Sequence, residues 1–168
     1  MVHLYTGNGK GKTTSAFGLA LRAVGAGKKV FIGQFIKGMT YSEVKLCNDK
    51  LPDIKTDLFG NECFLDRTPD EKDISNAKDG LIKIRDVLRS GKYQLVILDE
   101  VTIAVYYNLF SSQELLRILH EKNPETEVVL TGRYASPDLI EFADLVTEMR
   151  EIKHYYAKGV LSRKGIEF

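Results

Sequence analysis

The chain has 168 residues, 43% of them hydrophobic, with 24 Lys+Arg against 23 Asp+Glu, no Trp and a formal net charge of +1. That length predicts one compact domain over residues 1–168, able to fold without a disulfide or metal staple, and the balanced charge speaks against a nucleic-acid binder, which carries a basic excess. No apolar run reaches membrane-spanning length, no charged-then-apolar leader opens the chain, and Cys47 and Cys63, without a CxxC, read as free thiols of a cytoplasmic protein.

Glycine and proline punctuate short apolar strands and longer helical stretches in alternation, the pattern of βαβ units and a mostly parallel sheet. Val2–Thr6 reads as a strand that runs into a glycine-rich turn. Lys12–Val24 follows as a helix, apolar nearly all round and therefore expected to be buried on all sides. Lys29–Phe35 is the next strand, Ser42–Asp49 a short helix, Ile54–Phe59 a strand and Gly60–Pro69 a long loop. Pro69 and Asp70 open an amphipathic helix to about Ser90, with Ala77, Leu81, Ile84 and Leu88 at helical spacing. Gln94–Leu98 is an apolar strand ending at Asp99-Glu100. Ser111–Lys122 is a helix capped by Ser111 or Ser112, with Glu114 placed for a capping box. Glu127–Leu130 is a strand, Pro137–Ala143 a short helix and Leu145–Met149 the last strand. Glu151–Phe168 forms a tail with no assigned structure.

Gly7-Asn8-Gly9-Lys10-Gly11-Lys12-Thr13-Thr14 lies between a predicted strand and a predicted helix, the setting of a phosphate-binding loop. Glycines let backbone N–H groups turn inward as an anion nest, and the helix start adds its positive dipole end. Lys12 supplies a point charge and the Thr13 hydroxyl a ligand for Mg²⁺. The usual spacing leaves four residues between the first glycine and Gly-Lys; Gly7 and Gly11 enclose three. Together these features predict an α/β, P-loop NTPase-like domain with helices flanking the sheet.

Leu95-Val96-Ile97-Leu98-Asp99-Glu100 has the form of a strand that delivers an acid beside the phosphate loop, where it holds a metal directly or through water. Which of Asp99 and Glu100 touches the metal stays open at this point. Gln34-Phe35-Ile36-Lys37-Gly38 and Thr131-Gly132-Arg133 follow two other strands, so Lys37 and Arg133 are further cations for the nucleotide. His154, in the tail, is the histidine with a candidate role. His3 and His120 sit at element ends.

These motifs, in this order, give the chain a resemblance over nearly its full length to the P-loop class of ATP:corrinoid adenosyltransferases, which act on cob(I)alamin or cob(I)yrinic acid a,c-diamide. The stretches that carry it are GNGKGKTTSAFGLALRAVGAGKKV, QFIKG, LVILDE, LTGR, LIEFADLVTEM and the ending KH…KGVLSRKGIEF. The resemblance implies transfer of the 5′-deoxyadenosyl group of ATP to the cobalt(I) of a reduced corrinoid, with release of triphosphate, in adenosylcobalamin synthesis or salvage. It implies Mg²⁺ or Mn²⁺, a homodimer, and an electron-donating reductase or flavoprotein as partner, with no nucleic acid or membrane. Lys12 would be the catalytic cation and residues 7–14, Lys37 and Arg133 the nucleotide site, with Thr13, Asp99 and Glu100 for the metal. Gly60-Asn61-Glu62-Cys63-Phe64-Leu65 stands where members often carry Gly-Phe-Thr-Trp near the corrin, which points to Phe59 and Phe64 as its contacts. Two other readings of the same loop compete. A small-molecule kinase needs a base for its acceptor hydroxyl and releases ADP. A non-enzymatic switch would use Asp99-Glu100 to sense the γ-phosphate.

Overall fold

The computed structural model describes residues 1–60 and 68–168. Its strands are β1 (Val2–Thr6), β2 (Val30–Gln34), β3 (Ile54–Leu58), β4 (Leu95–Asp99), β5 (Glu127–Thr131) and β6 (Leu145–Glu148). Between them run α1 (Lys12–Gly25), α2 (Ser42–Lys50), α3 (Glu71–Arg89), α4 (Val101–Tyr106), α5 (Ser112–His120) and α6 (Pro137–Phe142), and a 3₁₀ turn covers Tyr155–Lys158. The strands form one sheet in the order β3-β2-β4-β5-β1-β6, and every pairing is parallel. The expected α/β architecture is therefore present, with a sheet parallel throughout. Among the described residues no helix is long and apolar enough to cross a membrane.

Side chains of a strand alternate between the two faces of a sheet, and β2, β4 and β5 bury apolar side chains on both. Val30, Ile32, Leu95, Ile97 and Val129 meet α1 and α2 through Ala16, Phe17, Ala20, Val44 and Cys47. Phe31, Val96, Leu98, Val128 and Leu130 meet α3 and α5 through Ala77, Ile84, Leu88, Leu115 and Leu119. The register is thereby fixed, because a one-residue slip would exchange one core for the other. Two reciprocal capping boxes start the helices on the second face. Asp70 accepts from the Asp73 N–H at 2.9 Å while Asp73 accepts from the Asp70 N–H at 3.0 Å. Ser111 and Glu114 repeat the arrangement at α5, which makes Ser111 the cap.

Three sequence expectations change. Helix α1 is one-sided: Ala16, Phe17, Ala20 and Ala23 are buried, whereas Leu21 is 51% exposed. Only one sheet lies beneath the helix, and a 3.6-residue period turns Gly18, Leu21 and Arg22 outward. Helix α4 was not evident in the sequence. It follows directly on β4 through Glu100 in the left-handed conformation (φ 57°), and its six residues, Val-Thr-Ile-Ala-Val-Tyr, carry no capping side chain and little helix propensity. The tail contains a 3₁₀ turn, capped by His154 accepting the Tyr156 N–H at 3.0 Å.

Candidate active site

The loop between β1 and α1 is shaped from behind. A Cβ on Gly7 would lie 2.5 Å from the Met149 carbonyl oxygen, and one on Gly9 would lie 2.7 Å from it. No side chain fits at either position. The Gly9 N–H donates to that same oxygen at 2.6 Å, so this amide is directed at the residue after β6 rather than into an inward-facing nest. Lys12 curls back over the loop and donates to the Gly7 and Gly9 carbonyls at 2.7 and 2.8 Å. Burial pulls its pKa below the ordinary lysine value, helped by the Arg133 charge and opposed by Glu100 and Asp99. An ammonium held this way is poorly solvated and close to the loop's centre, which suits it to a strongly anionic ligand.

Asp99 is the hub of the carboxyl edge of the sheet. Its Oδ1 accepts from the Thr13 hydroxyl at 2.8 Å and the Thr131 hydroxyl at 2.7 Å; its Oδ2 accepts from the Gln34 amide and the Lys37 ammonium, both at 2.8 Å. These donors come from α1, β5, β2 and the turn after β2, so one carboxylate fixes four pieces of chain. The side chain is fully buried. Burial alone would raise its pKa, yet the charge and hydrogen bond of Lys37, with Thr131 and Gln34, hold it below the usual carboxylate value. Lys37 responds in kind: burial opposes its charge, but Asp99 wins and raises its pKa.

Glu100 is the opposite case. Its N–H donates to the Thr131 hydroxyl at 3.0 Å, whereas its Oε2 is buried with no hydrogen-bond partner among the described residues. Burial first, then the neighbouring Asp99 charge, raise its pKa. A buried carboxylate oxygen without a partner is costly, and this one belongs to a residue lining the cleft. With Asp99 saturated, Glu100 is the acid with a free oxygen to offer, and Thr13 stands beside the hub. Oxygen donors of this kind suit a hard divalent cation whose other ligands are phosphate and water.

Residues 8–14, Lys37, Glu100 and Arg133 line one cleft of about 830 Å³, within the roughly 300–1,000 Å³ of small-molecule sites. Gly7 braces the loop from β1, and Asp99 lies beneath, acting through Thr13 and Lys37. His154 also lines the cleft, with Phe17, Leu21, Leu46 and residues 165–168. Phe59 does not. Its ring packs against Phe35 at 5.1 Å between centroids, over Gly33 and Gly80, where a Cβ would come within 2.7 and 2.5 Å of it. Phe59→Ala is therefore expected to lower unfolding stability by about 2 kcal/mol, less than for a fully enclosed ring. An unchanged urea midpoint would show that the packing contributes nothing. Phe64 and Cys63 lie outside the described residues, and Cys47 is buried as a free thiol.

Gln34 and Thr131 were not singled out as functional in the sequence, though their signal is there. Each is the last residue of a central strand whose preceding three residues carry no polar side chain, as Asp99 is, and β2, β4 and β5 are neighbours. Three buried polar side chains ending three adjacent strands mark the ligand edge of a parallel sheet. The walls from α1, α2 and the tail had no comparable signal.

The parallel sheet, the glycine loop leading into α1 and the strand-end acid bonded to the loop's threonine define a P-loop nucleotide-binding protein. A model of the family described as ATP:corrinoid adenosyltransferase BtuR/CobO/CobP matches residues 1–168. The chain is 39% identical over 171 residues to a corrinoid adenosyltransferase of Sinorhizobium sp, covering 100% of this chain and 80% of that one. It is 34% identical over 168 residues to the corrinoid adenosyltransferase of Escherichia coli K12, covering 100% and 85%, and 36% identical over 166 residues to that of Pseudomonas aeruginosa, covering 98% and 82%. The chain belongs to the ATP:corrinoid adenosyltransferase family. It is an enzyme of the transferase class, and the kinase and switch readings give way to adenosyl transfer from ATP to a corrinoid.

Proposed function

We propose that the cleft binds ATP with its triphosphate against the glycine loop and the start of α1 at Lys12, Thr13 and Thr14, and that cobalt(I) of a reduced corrinoid attacks C5′ of the ribose in line. The cobalt electron pair forms the Co–C5′ bond, the C5′–O bond breaks, and its electrons leave with triphosphate. The observation that supports this most is the pairing of a saturated Asp99 hub with the Lys12 ammonium and an unpartnered Glu100 oxygen in one cleft. Cobalt(I) needs no base to deprotonate it. The chain's task is to hold C5′ in place and to stabilise charge on the departing oxygen. Lys12 and Arg133 face the cleft as cations for that charge. Lys37 is neutralised by Asp99 and serves chiefly to hold the hub.

Thr13 Oγ and Glu100 Oε2 are the groups that would hold Mg²⁺ or Mn²⁺, with Asp99 orienting Thr13 from behind. When bound, the ion neutralises the triphosphate and lowers the cost of its departure. An electron-donating reductase or flavoprotein supplies cobalt(I), the working form is a homodimer, and the compartment is the cytoplasm. The sequence-based assignment of the corrin to Phe64 belongs to this proposal, while Phe59 is better explained by packing.

Phosphorus NMR of an anaerobic mixture of enzyme, ATP and reduced corrinoid is expected to show inorganic triphosphate forming in step with the alkylcobalt spectrum. ADP accumulating with turnover, and no alkylcobalt band, would rule this chemistry out.

A further inference from the structure

Lys10 was expected among the phosphate ligands, yet all three of its N–H donors are taken. They go to the Tyr155 hydroxyl at 2.9 Å, the Ile166 carbonyl at 3.0 Å and Glu167 Oε1 at 2.8 Å. An ammonium has three donors and no acceptor, so in this arrangement Lys10 has none left for phosphate. Lys12, the first residue of α1, donates instead to the loop's own Gly7 and Gly9 carbonyls. The two lysines of GKGK thus do different things.

What Lys10 holds is a cluster with its own internal logic. The Tyr155 hydroxyl accepts from Lys10 and donates to Glu167. Glu167 also accepts from the Arg163 backbone N–H at 2.7 Å, and the Arg163 guanidinium carbon lies 5.0 Å from the centre of the Tyr155 ring. The hydrogen bond from Lys10, then that from Tyr155, keep Glu167 ionised well below the usual carboxylate range. Residues 155–168 contain no strand and no α-helix, so this stretch draws little support from the sheet. Beyond Lys10, its described ties to the domain include the Ser42 hydroxyl donating to the Phe168 carbonyl at 3.2 Å and the Tyr41 and Phe168 rings at 6.1 Å. The stretch nevertheless lines the cleft, its Ile166 and Phe168 contributing with Phe17, Leu21 and Leu46.

Building on the nucleotide reading of this cleft, we propose that Lys10 is a positioning residue that anchors residues 155–168 as a strap across the site, and that it serves the reaction through Glu167 and Tyr155 rather than through phosphate. The strap adds the half-exposed apolar surface of Ile166 and Phe168 to the lining of the cleft and so reduces the access of water to it. That matters for a cobalt(I) nucleophile, which is readily protonated and oxidised. A carboxylate beside an anion site is tolerated because Lys10 and Arg163 neutralise it.

The test is a double-mutant cycle in the full chain with Lys10→Met and Glu167→Gln, read by anaerobic turnover, calorimetry with inorganic tripolyphosphate, and amide exchange. Each single variant is expected to lower kcat about tenfold, and the double variant to fall no more than about twofold further, since the two residues act as one unit. Tripolyphosphate affinity should stay within about twofold of the parent in all three, while amides of residues 155–168 exchange faster in Lys10→Met. A tenfold or larger loss of tripolyphosphate affinity in Lys10→Met but not in Glu167→Gln would assign Lys10 to phosphate and overturn the proposal. Unchanged exchange over residues 155–168 in Lys10→Met would overturn it as well. A parent protein that fails to bind tripolyphosphate would instead sink the nucleotide reading, and the exchange comparison would still decide whether Lys10 anchors the strap.

Discussion

Lys12→Ala is expected to reduce adenosyl transfer by at least about a thousandfold, the upper end of what one lost electrostatic partner costs in a preorganised site. The ammonium is buried, desolvated and bonded to two carbonyls of the loop it serves. In the proposed complex its removal would take a positive charge away from the triphosphate, both when bound and as the C5′–O bond breaks. Affinity for MgATP should fall together with kcat. Stability should not fall, because burial of an ammonium is a cost to the fold that alanine does not carry. Calorimetric titration with MgATP beside a thermal melt separates the outcomes. A folded variant with parental ATP affinity would take Lys12 out of the nucleotide site.

The two strand-end acids should respond to amide substitution in different ways. Asp99→Asn places an NH₂ group among four donors, facing the hydroxyls of Thr13 and Thr131, the Gln34 amide and the Lys37 ammonium. It also leaves Lys37 largely buried without its counter-charge. Breaking a buried pair from one side costs about 3–5 kcal/mol, so this variant should lose much of its stability along with activity. Glu100→Gln removes a charge that makes no hydrogen bond at Oε2. Its urea midpoint should match or exceed the parent's, while the Mg²⁺ concentration needed for half-maximal turnover rises about tenfold or more. Metal titrations that overlay the parent in Glu100→Gln, or an Asp99→Asn protein as stable as the parent, would reverse the roles given to the two acids.

Much of this site was legible because the polar residues gathered at the cleft are largely the residues that end strands or open α1. A glycine-rich turn between an apolar strand and a helix, and an acid at the end of an apolar strand, are local patterns with a physical cause. Asp99 was visible for that reason. Its donors were harder to see, because a hydroxyl or an amide at a strand end carries meaning only once β2, β4 and β5 are known to be neighbours. Lys10 and Lys12 look alike in a linear motif; their division of labour depends on a segment some 145 residues away in the chain. Phe59 shows the reverse situation. An aromatic at the start of a polar loop suggests a ligand contact, but Gly33 and Gly80 clear a space for its ring, and neither glycine signals this from its own neighbours. Helix α1 looked buried because its composition is apolar all round, and no composition tells whether a second layer lies above.

The contact of Gly7 and Gly9 with Met149 has a mechanical consequence. Strand β6 is the last in the sheet order, pairs with β1, and has all four residues exposed. The residue directly after it presses on the loop with no side chain between to absorb movement. A displacement of β6 along its own axis is therefore transmitted to the Gly9 amide across a single hydrogen bond, without passing through the packed cores. The outer edge of the sheet is in effect a lever on the curvature of the phosphate loop. Pressure applied there would reach the loop both through the Gly9 amide and through the pairing of β6 with β1.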